Sequence, residues 1–301
     1  MAGSLKIKWI SFCLISELLG VQQVFSQHVG MSSQSFDDQY EGCTKEMDNL
    51  VLGTLLEEEL SNDENFRIVW NNATLRWKHE RLRVPRGFRD EYGIAVMMYT
   101  NMMSPVYSAF NRAVREFNPS NFRYFSLHYL LTRAVNLLKL NCPSQPVTLR
   151  RGMKGVHLSP GDTENMRLGQ FTSTTTDPEV AKSFGTDTVF TVTSHFGVNI
   201  RRFSYFPEQK EVLVPVDEVF HIKNFTIHGH SHRFIIETTE ARCHYYNCYY
   251  LRGTKSSNCE KSADTKVVKA SLANLLNCLD SPTQIISAKL LKKLKQIYRH
   301  V

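Results

Sequence analysis

At Val147 the hydrophobic spacing of this chain changes period, and that change limits the folds open to it more than any other feature. Before it, apolar residues recur every three or four positions: Phe66, Val69, Trp70, Ala73 and Trp77, then Phe110, Ala113, Val114 and Phe117. The longest run, Phe125 to Leu140, carries Leu127, Leu130, Leu131, Ala134, Leu137 and Leu138 as one broad stripe. That spacing places apolar side chains on one face of a helix. After Val147 come short β-rich pieces bounded by turn residues: Val147 to Leu149, Gly169 to Thr175, Thr188 to Thr193, Lys210 to Val214, Val219 to Ile222 and Phe234 to Thr238. Helices followed by strands predict an α+β fold, with a helical first half packed on two small sheets. Cys142 and Pro143 mark the hinge between them. His128, inside the longest apolar run, reads as a packed or half-exposed histidine rather than a ligand.

The first 26 residues read as a secretory leader, with Lys6 and Lys8 ahead of the apolar run Trp9 to Leu19 and a small-residue cleavage site at Val24, Phe25 and Ser26. Glu17, Gln22 and Gln23 interrupt a stretch already short for a membrane span. Losing the leader removes Cys13 and leaves Cys43, Cys142, Cys243, Cys248, Cys259 and Cys278. An even set in an oxidising compartment predicts disulfides without fixing their connectivity. Cys243 and Cys248 flank His244, but no second ligand pair follows at metal-binding spacing, so the reading is no metal. Asn72 and Asn224 head glycosylation triplets, whereas Asn118 precedes proline.

After a Ser/Gln-rich spacer, 27–34, one domain is expected over 35–260, its helical part 35–140 and its β core 147–250. With 42% hydrophobic residues the chain has material for a sizeable core. Residues 261–301 form a tail. There Lys289, Lys292, Lys293, Lys295 and Arg299 interleave with Ile286, Leu290, Leu294 and Ile297 at helical spacing, in a chain of formal charge +7. This is a basic amphipathic segment, suited to a surface helix or to an anionic membrane or glycan. No nucleic-acid recognition motif accompanies the charge.

Three pieces of the β half can carry chemistry. In Leu149-Arg150-Arg151-Gly152, an arginine ends a strand before a glycine, which can aim a guanidinium fork at phosphate or carboxylate; a surface arginine pair would look the same. Phe171-Thr172-Ser173-Thr174-Thr175-Thr176 is either a solvated strand face or a strand that positions a hydroxyl. In Phe206-Pro207-Glu208-Gln209-Lys210-Glu211-Val212-Leu213-Val214-Pro215, a carboxylate stands at the first residue of a strand that can only be buried. If that stretch is extended, Gln209 shares a face with Glu211 and Glu208 points away. The loop ahead of the strand lacks the glycine, asparagine or aspartate that ordinary turn chemistry favours.

Taken in order, these pieces resemble the arginine, serine, glutamate signature of the vertebrate extracellular mono-ADP-ribosyltransferases. The resemblance extends from about Ser35 to Cys259 through "SFDDQYEGC" at Ser35 to Cys43, "YT" at Tyr99-Thr100, "FNRAVREF" at Phe110 to Phe117, "LHYLLTRA" at Leu127 to Ala134, "GQFTSTT" at Gly169 to Thr175 and "EVLVP" at Glu211 to Pro215. It implies an ADP-ribosyltransferase fold that binds NAD as co-substrate between its sheets, without a metal. It implies an enzyme that splits the nicotinamide to ribose bond and passes ADP-ribose to an extracellular or surface protein. Arg151, with Gly152, would bind the phosphate and ribose region. Ser173 would orient NAD and the glutamate, Phe184 would lie against nicotinamide, and Glu211 would be the catalytic carboxylate. All three signature positions are present, which favours catalysis over a non-catalytic interaction module.

The chain departs from that family in three places. Arginine-modifying members carry glutamate two positions before the catalytic one; here it is Gln209, which cannot accept a proton from a guanidinium. The Gln-x-Glu form, with Phe206 three residues ahead of Gln209, resembles members that mainly hydrolyse NAD and bacterial exoenzymes that modify asparagine. Gln209 and Phe206 are therefore the expected acceptor-recognition pair. The resemblance implies a disulfide between Cys43 and Cys248, but Ser194-His195 stands where the family places the partner of Cys142. Ser281 to Val301 lacks the apolar tail exchanged for a lipid anchor, so a released protein is expected.

Overall fold

The change of period at Val147 is the boundary between two layers. In the computed structural model, which describes residues 26–141 and 145–262, helices fill the first half and strands the second. The leader before Ser26, Cys142, Pro143, Cys278 and the basic segment from Lys289 lie outside the described residues.

The helices run α1 (Thr44–Leu50), a π turn (Val51–Leu55), α2 (Leu56–Asn62), α3 (Glu64–Glu80), α4 (Asp90–Thr100), α5 (Pro105–Arg115) and α6 (Phe125–Asn141). Asp63 starts α3 by accepting from Phe66 N at 3.0 Å, and Ser104 starts α5 by accepting from Val106 N at 3.1 Å. Both bonds satisfy N–H groups that a helix leaves open at its start. Burial on all sides explains why α4 carries no apolar stripe: every residue from Tyr92 to Thr100 is buried. Gly93 is required there, since a Cβ would stand 2.1 Å from the Trp77 ring.

The strands are β1 (Ser26–Val29), β2 (Val147–Met153), β3 (His157–Pro160), β4 (Asn165–Met166), β5 (Thr172–Thr175), β6 (Thr188–Ser194), β7 (Val198–Asn199), β8 (Glu211–Val214), β9 (Glu218–His228), β10 (Ser231–Tyr246) and β11 (Lys255–Lys261). Two short helices, α7 (Pro178–Ser183) and α8 (Tyr249–Arg252), interrupt them. The segment read as a spacer is not free: β1 pairs in parallel with β3. Gly169 stands in a turn at φ +71°, so the third predicted strand begins only at Thr172.

The expected two sheets are present as two halves of one hydrogen-bonded path, β4-β9-β10-β6-β2 and β5-β8-β7. A single register pair, Arg150 with Thr175, joins them. Two cores follow from this division. Leu213 of β8 belongs to the core under the helices with Phe171, Phe203 and Tyr99, while Val212 and Val214 belong to a second core with Leu149, Phe190 and Phe234. Alternation along β8 thus feeds both cores, which is why the run is apolar throughout.

The stretch Ser35 to Cys43 staples the layers together. Phe36 is fully buried in the helical core. Asp37 accepts from Tyr245 N, Tyr246 N and the buried Arg167 guanidinium; Asp38 accepts from Tyr40 N, Cys248 N and Tyr249 N. The disulfide Cys43–Cys248 closes this connection. A second disulfide, Cys243–Cys259, ties β11 to β10, so the two cysteines flanking His244 serve different bridges. His128 is packed: Nε2 donates to Phe36 O at 3.0 Å, so Nδ1 accepts from Tyr40 OH at 2.8 Å. Burial holds its pKa down at about 3, so this histidine stays neutral. Where the family pattern has a cysteine, Ser194 Oγ donates to the fully buried Glu218 at 2.6 Å. Asn72 and Asn224 are both exposed, on α3 and β9.

Candidate active site

Strand register places the site. Thr175 is opposite Glu211 and Ser173 opposite Leu213, so Ser173 and Glu211 lie diagonally on one face of the β5-β8 pair, within reach of side chains. That face looks toward the helices, because Leu213 packs in the helical core. On β2, Leu149 and Arg151 share the other core's face, and Arg151 emerges beside the single junction with β5. From there its Nη1 donates to Ser173 O at 2.6 Å. The three signature residues, 60 positions apart from first to last, therefore meet at one seam between the half-sheets.

Glu211 is 5% exposed. Burial pushes its pKa up to about 7, against the opposing pull of Ser173, Ser204 and the Arg151 guanidinium. Near neutral pH the group therefore exchanges between acid and carboxylate. Ser204 Oγ lies 3.4 Å from Glu211 Oε2. Ser173 Oγ is buried and makes no hydrogen bond of full geometry, although it stands near enough to lower the Glu211 pKa. A buried hydroxyl in that condition is prepared for a further partner.

Gly152 and Phe184 are brought to the same edge. A Cβ on Gly152 would stand 2.2 Å from Ala181 O and 2.3 Å from Gly185 O, so only glycine lets the end of α7 approach β2. The residue between them in that turn, Phe184, is 39% exposed, a flat apolar surface beside Arg151.

The stretch before Glu211 is not extended, and the expectation that alternation aligns Gln209 with Glu211 fails on that premise. Pro207–Gln209 form a 3-10 turn, and Lys210 takes a left-handed conformation at φ 51°, the position that Gly or Asn would favour. Lys210 is held by Asp177, the residue that starts α7, at 2.8 Å. Thr175 Oγ1 donates to Gln209 O at 2.7 Å and so fixes the turn on β5. The Gln209 side chain is half-buried with Nε2 3.9 Å from Met102 Sδ; Phe206 is half-buried at the head of the turn, and Glu208 is exposed.

The reading of individual residues missed Tyr99 and Arg115. Tyr99 OH donates to Phe171 O at 2.6 Å, bracing the entry to β5, and its surroundings include Glu211 and Arg151. Arg115 donates to Gln170 and stands close enough to Arg151 for the two cations to repel. Two guanidiniums at one seam make a site for an anionic group. Both residues lie inside the stretches "YT" and "FNRAVREF", which carried the resemblance but no assigned role. Among the described residues no group of three or more His, Cys, Asp or Glu is arranged to hold a metal.

The family model "NAD:arginine ADP-ribosyltransferase" matches residues 29–244. Ecto-ADP-ribosyltransferase 5 of Bos taurus is 36% identical over 251 residues, covering 79% of this chain and 79% of that protein. The GPI-linked NAD(P)(+)--arginine ADP-ribosyltransferase 1 of Mus musculus is 34% identical over 250 residues, covering 77% and 76%. Among solved structures, a mutant of the eukaryotic mono-ADP-ribosyltransferase ART2.2 in complex with NAD superposes with a TM-score of 0.67 at 33% identity, covering 74% of this chain and 99% of that one.

Proposed function

This chain belongs to the NAD:arginine ADP-ribosyltransferase family, enzymes with NAD as co-substrate, and we propose that it cleaves the nicotinamide to ribose bond with Glu211 as the catalytic carboxylate. The observation that carries this reading is a buried carboxylate at the head of β8, flanked by the Ser173 hydroxyl and the Arg151 guanidinium. As nicotinamide leaves, the ribose becomes oxocarbenium-like. An ionised Glu211 stabilises that charge and holds a ribose hydroxyl. Arg151, whose planar fork pairs two oxygens at once, takes the pyrophosphate with Arg115 behind it. Ser173 orients Glu211 and NAD, and Phe184 covers the nicotinamide ring.

Gln209 decides what happens next. Arginine transfer needs a group that accepts the guanidinium proton, and an amide cannot. We therefore weight the activity toward hydrolysis, in which water attacks the ribose carbon and ADP-ribose and a proton are released. Transfer to an extracellular or surface protein, with Phe206 and Gln209 contacting the acceptor, is the second outcome of the same intermediate. The basic segment Lys289 to Arg299 would add attraction to an anionic membrane or glycan.

The test uses secreted protein and NAD labelled in its adenylate half, with and without a small guanidino compound, following nicotinamide release and label transfer together. Release that ignores the guanidino compound supports hydrolysis. Label on that compound supports arginine transfer and overturns the weighting given to Gln209. Absence of release with NAD still bound overturns the catalytic reading.

A further inference from the structure

Glu211 is touched by a second hydroxyl, far from the three-residue signature in role and unmarked by any sequence pattern. Ser204 is 1% exposed, and its Oγ accepts from Phe206 N at 3.0 Å. That bond uses an oxygen lone pair and leaves the hydroxyl proton free for Glu211 Oε2, 3.4 Å away. The distance is long for such a bond, so a moderate effect is expected.

The segment that carries Ser204 is held from three directions. Arg76 of α3 donates from Nη2 to Ser204 O at 2.9 Å, and its guanidinium lies 4.3 Å above the Tyr205 ring. Trp77 stacks on Phe203 with rings 5° from parallel. Tyr205 N donates to Thr100 Oγ1 at 3.2 Å at the end of α4. Helices α3 and α4 thus fix the backbone on both sides of Ser204, while the turn that follows is pinned separately by Thr175 and Asp177. A surface loop with no task would not need so many buried anchors.

We propose that Ser204 is a positioning residue for Glu211, holding one carboxylate oxygen while Ser173 and Arg151 serve the other contacts, and that Arg76 anchors Ser204 from the helical layer. The inference rests on Glu211 being the catalytic carboxylate. The groups facing Glu211 are Arg151 from β2, Ser173 from β5, Tyr99 from α4 and Ser204 itself, with Arg115 of α5 beside Arg151. The adjacent Lys210 is turned away onto Asp177. Removing the Ser204 hydroxyl subtracts one of the few interactions that favour the ionised form.

The experiment compares wild type, Ser204→Ala and Glu211→Gln for kcat and KM of nicotinamide release between pH 5 and 9, with thermal melting of each. For Ser204→Ala the acidic limb of the kcat profile moves up by about half to one pH unit, KM for NAD changes by less than about twofold, and kcat near neutral pH falls roughly fivefold to tenfold. An equal loss at every pH with the limb unmoved would mean that Ser204 only shapes the loop, and overturns the proposal; so does an unchanged kcat. Full activity in Glu211→Gln overturns both this inference and the reading beneath it, whereas an inactive Glu211→Gln with an unmoved limb in Ser204→Ala overturns this inference alone.

Discussion

Arg151 Nη1 donates to the main-chain carbonyl of Ser173 across 2.6 Å, so the guanidinium that would bind pyrophosphate also clasps the two half-sheets at their junction. A lysine keeps the charge but loses the planar fork. Arg151→Lys is expected to raise KM for NAD by about tenfold or more with a smaller change in kcat. Steady-state kinetics of nicotinamide release decides it, and an unchanged KM removes Arg151 from the binding site.

Glu211→Gln retains shape and loses the charge at the ribose. We expect kcat to fall by about 10²-fold or more. The same variant should be more stable than wild type in alkali. Burial raises the folded-state pKa of Glu211 from 4.5 to about 7, so its contribution to stability is complete below the lower value and is lost as pH rises through the upper one. At about pH 8 the gain approaches 3 kcal/mol, and at about pH 4.5 it vanishes. Denaturant melts of ligand-free protein at the two pH values check the sign.

Gly152→Ala tests the approach of α7 to β2. The new methyl meets two carbonyl oxygens that belong to backbone and cannot rotate away. A destabilisation of about 2–4 kcal/mol is expected, together with weaker NAD binding as Phe184 shifts. Wild-type stability in this variant would refute the close contact.

Gln209→Glu restores a proton acceptor beside an intact Glu211. Label transfer to a small guanidino compound should rise by about tenfold or more relative to hydrolysis. If the ratio of transfer to hydrolysis stays fixed, residue 209 does not set the acceptor, and the turn ending in Lys210 has carried its side chain out of reach.

Loss of the Cys43–Cys248 bridge frees a chain separation of 205 residues. Replacing both cysteines by alanine should lower stability by about 2–5 kcal/mol in urea melts. The Asp37 and Asp38 contacts remain, so the variant should still fold at low temperature.

The sequence by itself determined what depends on neighbours along the chain. Period-three spacing marked α3, α5 and α6, alternation and turn residues marked the β half, and the apolar run after Glu211 required a strand buried on both faces. Even the Cys43–Cys248 pair was legible, through resemblance. Neighbour patterns failed where the environment is uniform or set from afar. α4 is buried all round and so has no stripe to read, and Gln209 looked extended because nothing local announces a left-handed lysine held by Asp177. Only the tertiary structure decided that Tyr99, Arg151, Ser173, Ser204 and Glu211 share one seam, that Ser194 supports Glu218 where the family pattern has a cysteine, and that Cys243 pairs with Cys259. Each of these is a contact between residues distant in sequence, and its geometry comes from two cores meeting across β8, which no single segment encodes.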